Sequence, residues 1–142
     1  MTGALLLCLI VGVSDGDTVT ARCSAETIKV RLSEIDAPEK AQPYGERSKQ
    51  ALSDLCFQHN ATIEDKGQDR YQRKIGRVHC AGVDANLRQV QMGLAWAYTK
   101  YLTDPAIRQA EDSARSARSG LWADDSPSPP WEWRHKRRTR SN

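Results

Sequence analysis

Three short segments gather charged side chains where turns interrupt the apolar patterning. They are Asp15-Gly16-Asp17-Thr18, then Arg31 followed by Asp36-Ala37-Pro38-Glu39, and Asp69-Arg70-Tyr71-Gln72-Arg73. Carboxylates at strand ends and turns can converge on a hard cation such as Ca²⁺, which takes oxygen ligands from carboxylates, backbone carbonyls and water. A spare carboxylate beside them can take a proton from a water. Two guanidiniums can hold a phosphate whose negative charge grows in the transition state, because each presents a planar fork of donors. Cation site, base and paired arginines are the parts that hydrolysis of a phosphodiester requires. Taken singly, each segment also has an ordinary reading: Asp-Gly is a hairpin turn, and an arginine in a strand forms a cross-strand ion pair. Their succession in one short chain favours the chemical reading.

The elements that must position these groups are β-rich in the first third. Residues 9–13 are an apolar run, Ser14-Asp15-Gly16-Asp17 is a turn, and residues 18–23 form a second strand. Ile28, Val30 and Leu32 fall on one face with Lys29, Arg31 and Ser33 on the other, the pattern of a half-buried strand. Pro38 and Pro43 bracket a loop, and from Tyr44 to Phe57 the period becomes helical through Ala51, Leu52, Leu55 and Cys56. Residues 61–64 and 74–80 are further strands, separated by a polar loop over 66–70. Asp84 caps a helix running to about Met92, and Asp104-Pro105 opens a last helix with Gly120 just past its end. After Trp122, Ser126-Pro127-Ser128-Pro129-Pro130 excludes regular helix or central strand. Short strands mixed with helices give an α+β class, with a small barrel as the compact way to remove sheet edges.

With 142 residues, 39% hydrophobic and 27% charged, the chain is long enough for one domain and unlike collagen or a disordered polymer. The longest apolar run, residues 4–13, is ten residues against the roughly 20 needed for a membrane-spanning helix. Residues 1–10 resemble the apolar stretch of a secretory signal, but no Lys or Arg precedes it, no small-residue cleavage site is clear, and a strand over 9–13 leaves too little for a complete signal. The net charge is +3; residues 131–142 carry five basic side chains against Glu132, a local +4 that leaves the body at −1. Such a tail serves as a nucleic-acid arm or, more commonly, as a solvated, frayed terminus. Cys8, Cys23, Cys56 and Cys80 contain no C-x-x-C pair, which argues against a zinc knot. They allow two disulfides in three connectivities, or four buried thiols.

The ordered set of segments resembles the staphylococcal (micrococcal) nuclease family, the thermonuclease-like domains. The resemblance runs over about residues 9–122 through Val13-Ser14-Asp15-Gly16-Asp17-Thr18, Val30-Arg31-Leu32, Ile35-Asp36-Ala37-Pro38-Glu39, Tyr44-Gly45, Asp69-Arg70-Tyr71-Gln72-Arg73, Gly93-Leu94-Ala95 and Gly120-Leu121-Trp122. It implies a five-stranded OB-type β-barrel with three α-helices over residues 1–123, followed by a Pro-rich, basic tail over 124–142. It implies that Asp17, Asp36 and the carbonyl of Ala37 hold Ca²⁺, that Glu39 is the general base, and that Arg31 and Arg73 clamp the phosphate. Arg70, Tyr71 and Tyr98 fall where relatives contact the nucleotide, with Tyr101 a further candidate; packing on the barrel is the alternative for both Tyr98 and Tyr101. The chain departs from the family at Gln72, a position commonly glycine, and at Lys100, where well-known members carry a second aromatic. The loop between Glu39 and Tyr44 is also shorter.

On that resemblance, Cys8 and Cys23 flank Gly16 by 8 and 7 residues and face each other across the first hairpin, while Cys56 meets Cys80. Two such bridges favour a secreted or periplasmic protein. The function implied is Ca²⁺-dependent cleavage of DNA and RNA with little sequence preference, by a monomer without membrane attachment, leaving a 5′-hydroxyl and a 3′-phosphate. The alternative is a non-catalytic OB-type module that binds nucleic acid or protein. A third reading, an assembly subunit anchored by Trp131 and Trp133, competes with a tail that folds back on the body.

Overall fold

A computed structural model describes residues 3–140, apart from the side chains of 139 and 140. The long first strand β1 (Leu5–Asp15) turns at Gly16 into β2 (Thr18–Cys23), which turns into β3 (Glu26–Leu32). A two-residue strand β4 (Ile35–Asp36) leads through a loop to helix α1 (Gly45–Cys56). Then come β5 (Asn60–Gln68), β6 (Lys74–Cys80), the short β7 (Val83–Asp84) and helix α2 (Ala85–Gln91). The short β8 (Trp96–Ala97), helix α3 (Pro105–Ala117) and helix α4 (Pro130–Arg140) complete the described chain.

The antiparallel order β3-β2-β1-β5-β6 is closed by a parallel pairing of β3 with β6, giving a five-stranded mixed barrel, and β7 extends β6. The closing ladder sets Val30 beside Lys74, Arg31 beside Ile75 and Leu32 beside Gly76. Alternation decides the two faces: Ile10, Val19, Ala21, Val30, Leu32, Ile63 and Val78 point into the core, whereas Leu5, Leu7, Leu9 and Val11 of β1 face outward and are exposed. The α+β barrel expected from the sequence is therefore the observed architecture. β4 pairs with β8 in a separate ribbon, which brings Asp36 opposite Trp96.

The helices begin and pack for local reasons. The Asp84 side chain accepts the Leu87 amide at the start of α2, and Asp104 accepts that of Ala106 ahead of Pro105 in α3. In α3, Ile107, Ala110, Glu111 and Ala114 recur at 3- and 4-residue spacing and are buried. The left-handed residue that ends α3 is Arg118, with φ of 54°, rather than Gly120.

Two expectations are corrected. The polar stretch expected as a loop over 66–70 is strand as far as Gln68, because β6 is long enough to keep pairing with it through a bulge. The tail is not a frayed terminus: Pro129 accepts the amides of Glu132 and Trp133, and α4 makes a fourth helix beyond the three expected. Apolar contact explains why it docks, since Trp131 packs on a second core formed by Trp96, Ala114, Leu121 and Trp122. The cysteines pair as the resemblance implied: Cys8–Cys23 and Cys56–Cys80 are bonded, with Cα atoms 4.3 and 5.1 Å apart.

Candidate active site

Arg31 stands on the outer face of β3 at the barrel's closing seam. Its Nη1 donates to the carbonyls of Leu32 (2.9 Å) and Ile35 (3.0 Å), which fixes the guanidinium to backbone. From there it reaches Asp17 Oδ2 at 3.4 Å and Asp36 Oδ1 at 3.3 Å. One buried cation thus bridges two acids that are 19 residues apart in sequence. Asp17 also accepts the Ala37 amide (2.8 Å) and the Thr18 hydroxyl (3.1 Å), so the β1–β2 turn is tied to the loop that follows β4.

Helix α2 supports both acidic segments from beneath. The Gln89 amide group donates to the carbonyls of Gly16 (2.8 Å) and Ser48 (2.9 Å), linking the first hairpin to α1. Asn86 donates to the Ser33 carbonyl (2.9 Å) and accepts the Val78 amide (3.0 Å), linking β6 to the end of β3. Glycine is demanded at two joints by close approach. A Cβ on Gly16 would collide with Ser48 of α1, and one on Gly45 would collide with the Glu39 carbonyl. The Tyr44-Gly45 motif therefore lets α1 start directly against the backbone of Glu39.

The buried acids do not ionise alike. Burial, then the neighbouring Asp17, pushes the Asp15 carboxyl up to about 8. Burial also opposes ionisation of Asp17, yet Arg31 and the hydrogen bonds it accepts outweigh that and bring it below the ordinary carboxylate value. Asp36 lies above its ordinary value because it is buried and near Asp17, with hydrogen bonds from Arg134 and the charge of Arg31 pulling the other way.

Glu39 lies in the loop after Asp36. Its amide donates to Gln42 Oε1 at 3.1 Å, and Gln42 Nε2 in turn donates to the Ser128 carbonyl at 2.7 Å. The carboxylate is met by Arg134 of α4, whose Nη1 donates to Glu39 Oε1 at 2.7 Å and to Asp36 Oδ1 at 3.2 Å. Nη2 of the same guanidinium donates to Asp36 Oδ2 at 2.7 Å.

Asp17, Arg31, Asp36, Ala37 and Glu39 are thus brought together. Arg70, Tyr71 and Arg73 form a separate cluster on the β5–β6 turn. Asp69 accepts the amides of Tyr71 (2.9 Å) and Arg73 (3.0 Å) and the Arg73 Nε (2.8 Å). The guanidinium carbons of Arg70 and Arg73 lie 5.0 and 5.6 Å from the centre of the exposed Tyr71 ring. Gln72 takes φ of 66°, so the turn keeps the left-handed shape that glycine favours. Arg73 sits two residues before Ile75, the ladder partner of Arg31, and alternation puts both arginines on the outer face of the seam.

Tyr98 and Tyr101 meet edge to face at 5.1 Å, and Trp131 stacks parallel on Tyr98 at 5.4 Å. Two participants were missed in the sequence, Asp15 and Arg134. By sequence the first is a turn residue and the second part of a solvated tail. The adjacent acids flanking Gly16 were the available sign for Asp15; for Arg134 the only sign was the pair of tryptophans ahead of it.

Among the described residues, no group of three or more His, Cys, Asp and Glu side chains is gathered as a metal centre. The donors near Arg31 are carboxylates and backbone, an all-oxygen set of the kind a hard cation takes, with water completing the shell.

A closed mixed barrel carrying acids and arginines at its seam defines an OB-type α+β domain with a polar surface site. The family model described as staphylococcal nuclease homologue matches residues 29–124, about two thirds of the chain. An uncharacterized endonuclease of Haemophilus influenzae is 47% identical over 130 residues, covering 91% of this chain and 73% of that protein. A micrococcal nuclease of Shigella flexneri is 38% identical over 144 residues, covering 94% and 83%. The chain belongs to the staphylococcal nuclease family.

Proposed function

We propose that this chain is a Ca²⁺-dependent endonuclease that hydrolyses phosphodiester bonds of DNA and RNA with little sequence preference. The family and the names of its relatives support a nuclease. The observation that carries the catalytic assignment is the meeting of Asp17, Asp36 and Glu39 around guanidiniums at one end of the seam. Asp17, Asp36 and the Ala37 carbonyl are the groups to hold the ion. When bound, Ca²⁺ supplies positive charge to a non-bridging phosphate oxygen.

Glu39 takes a proton from a water, whose oxygen attacks phosphorus as the bond to the 5′ oxygen breaks. The water's hydroxyl stays on the 3′-phosphate, and the departing oxygen takes a proton from a solvent water and ends as a 5′-hydroxyl. Arg31, fixed by two carbonyls, and Arg73, presented on the turn, stabilise charge on the phosphorane-like centre without reorganising. Arg70 and Tyr71 border the path of the strand, with Tyr98 and Tyr101 as stacking surfaces. The two disulfides favour an oxidising compartment, outside the cell or in a periplasm.

Supercoiled plasmid and single-stranded RNA incubated with the protein across a metal series test this reading. Nicking with Ca²⁺ that a chelator abolishes is the expected result. Intact substrates in every metal would identify a barrel that binds without cutting.

A further inference from the structure

Helix α4 covers the groups just assigned to catalysis. Both oxygens of Asp36 accept from Arg134, and Glu39 Oε1 accepts from the same guanidinium. Three residues earlier on the same helical face, Trp131 lies flat on Tyr98, with planes 2° apart. The ring also meets Trp96 edge to face at 5.7 Å. The segment leading into α4 is held to the catalytic loop, since Gln42 bonds the Ser128 carbonyl and the Glu39 amide. A cavity of about 180 Å³ lies under it, bordered by Pro38, Tyr44, Trp96, Leu121 and Trp133.

We propose that α4 is a built-in occupant of this site, so that its docking and the binding of a divalent cation and nucleic acid exclude one another. The inference rests on the nuclease reading above. Arg134 supplies the positive charge that the acids would otherwise take from a metal ion. Because both Asp36 oxygens and Glu39 Oε1 are paired to one guanidinium, Arg134 competes directly with a metal ion for the acids and occupies the carboxylate assigned as base. Trp131 fills the face of Tyr98 on which a base would stack. Two different substrate features, charge and aromatic plane, are therefore mimicked by one helix.

Release has a chemical driver. The helix carries Arg134, Lys136, Arg137 and Arg138 against Glu132, a composition that suits a phosphate backbone better than solvent. A polyanionic substrate thus favours the open state while Ca²⁺ takes the vacated acids. A plug engaged 90–99% of the time lowers apparent metal affinity about ten- to hundredfold, since only the open fraction binds.

The test uses the full chain, wild type, Arg134→Ala and Trp131→Ala, with CaCl₂ alone as probe. Hydrogen exchange of the α4 amides is followed with and without Ca²⁺, and Ca²⁺ affinity is measured by calorimetry. We expect saturating Ca²⁺ to speed exchange in wild-type α4, and both variants to bind Ca²⁺ about tenfold or more tightly than wild type. Trp131→Ala separates displacement from electrostatics, because it removes no charge. Unchanged α4 protection, tighter binding in Arg134→Ala alone, or no Ca²⁺ binding by any of the three chains overturns the proposal. Failure of the nuclease reading looks different: plasmid stays intact with all three proteins, whatever α4 exchange and Ca²⁺ affinity do.

Discussion

Among the acids near Arg31, Glu39 is the one whose charge the barrel needs least. Its carboxylate is partly exposed, and its backbone, not its side chain, holds the loop through Gln42. Glu39→Gln therefore keeps shape and fold, and cleavage should fall about 10²–10⁴-fold through loss of the base. Arg73→Ala, on an exposed turn, should cost about 10²–10³-fold through loss of charge stabilisation. Near-normal turnover in both variants would refute these roles. Arg31 is a poorer test, because removing it leaves Asp17 and Asp36 buried without their shared partner, at a cost of about 3–5 kcal/mol. Gln72→Gly relieves a left-handed residue and should raise stability by up to about 1 kcal/mol in denaturant unfolding, with the turn unchanged. Asp17, Arg31, Asp36 and Glu39 could be singled out only through the ordered succession of their segments, because each segment alone also reads as an ordinary turn or strand. The upward shift of Asp15 could not, since it depends on how closely Asp17 and the surrounding chain pack.

Helices α2 and α3 are joined to the barrel by Arg77 on β6, which bonds Asp84 at 2.8 Å and Asp104 at 2.9 Å, the two residues that cap those helices. Asp104 sits below its ordinary value, first because it accepts the Ala106 amide and then because of Arg77. A native value below the unfolded one stabilises the fold above the unfolded carboxylate range and is lost as pH falls through it. Asp65 and Asp69 are lowered as well, by Lys74 and Arg73 respectively, and add to the same acid limb. Asp104→Ala should therefore lower stability by about 1 kcal/mol at pH 7, with the gap from wild type closing below about pH 4. Denaturant midpoints at the two pH values check this; a gap that persists in acid would mean the carboxylate's charge is not what is lost. Elements with clean periods, such as β2, β6 and α3, could be read directly from the chain. The end of β5 could not, because Lys66, Gly67 and Gln68 look like loop and pair only because β6 lies beside them.

At the scale of the molecule, the two disulfides close segments of 15 and 24 residues, β1 to β2 and α1 to β6. Each should contribute about 3 kcal/mol by restricting the unfolded chain. Unfolding in reductant should therefore show a lower denaturant midpoint; an unchanged midpoint would mean the bridges add nothing. The docked tail was the least legible part, because the bonds from Arg134 to Asp36 join residues 98 apart and leave no local period.

The barrel's closing seam also dictates when the protein can work. Its three ladder partners, Val30 with Lys74 through Leu32 with Gly76, lie 44 residues apart along the chain, and the β1–β5 ladder is likewise long-range, from Leu5 with Glu64 to Leu9 with Asn60. Such distant pairing forms late in folding, and Arg31 sits in the middle of it. A newly made chain therefore lacks an assembled acidic site until both long-range ladders, β1 with β5 and β3 with β6, have zipped.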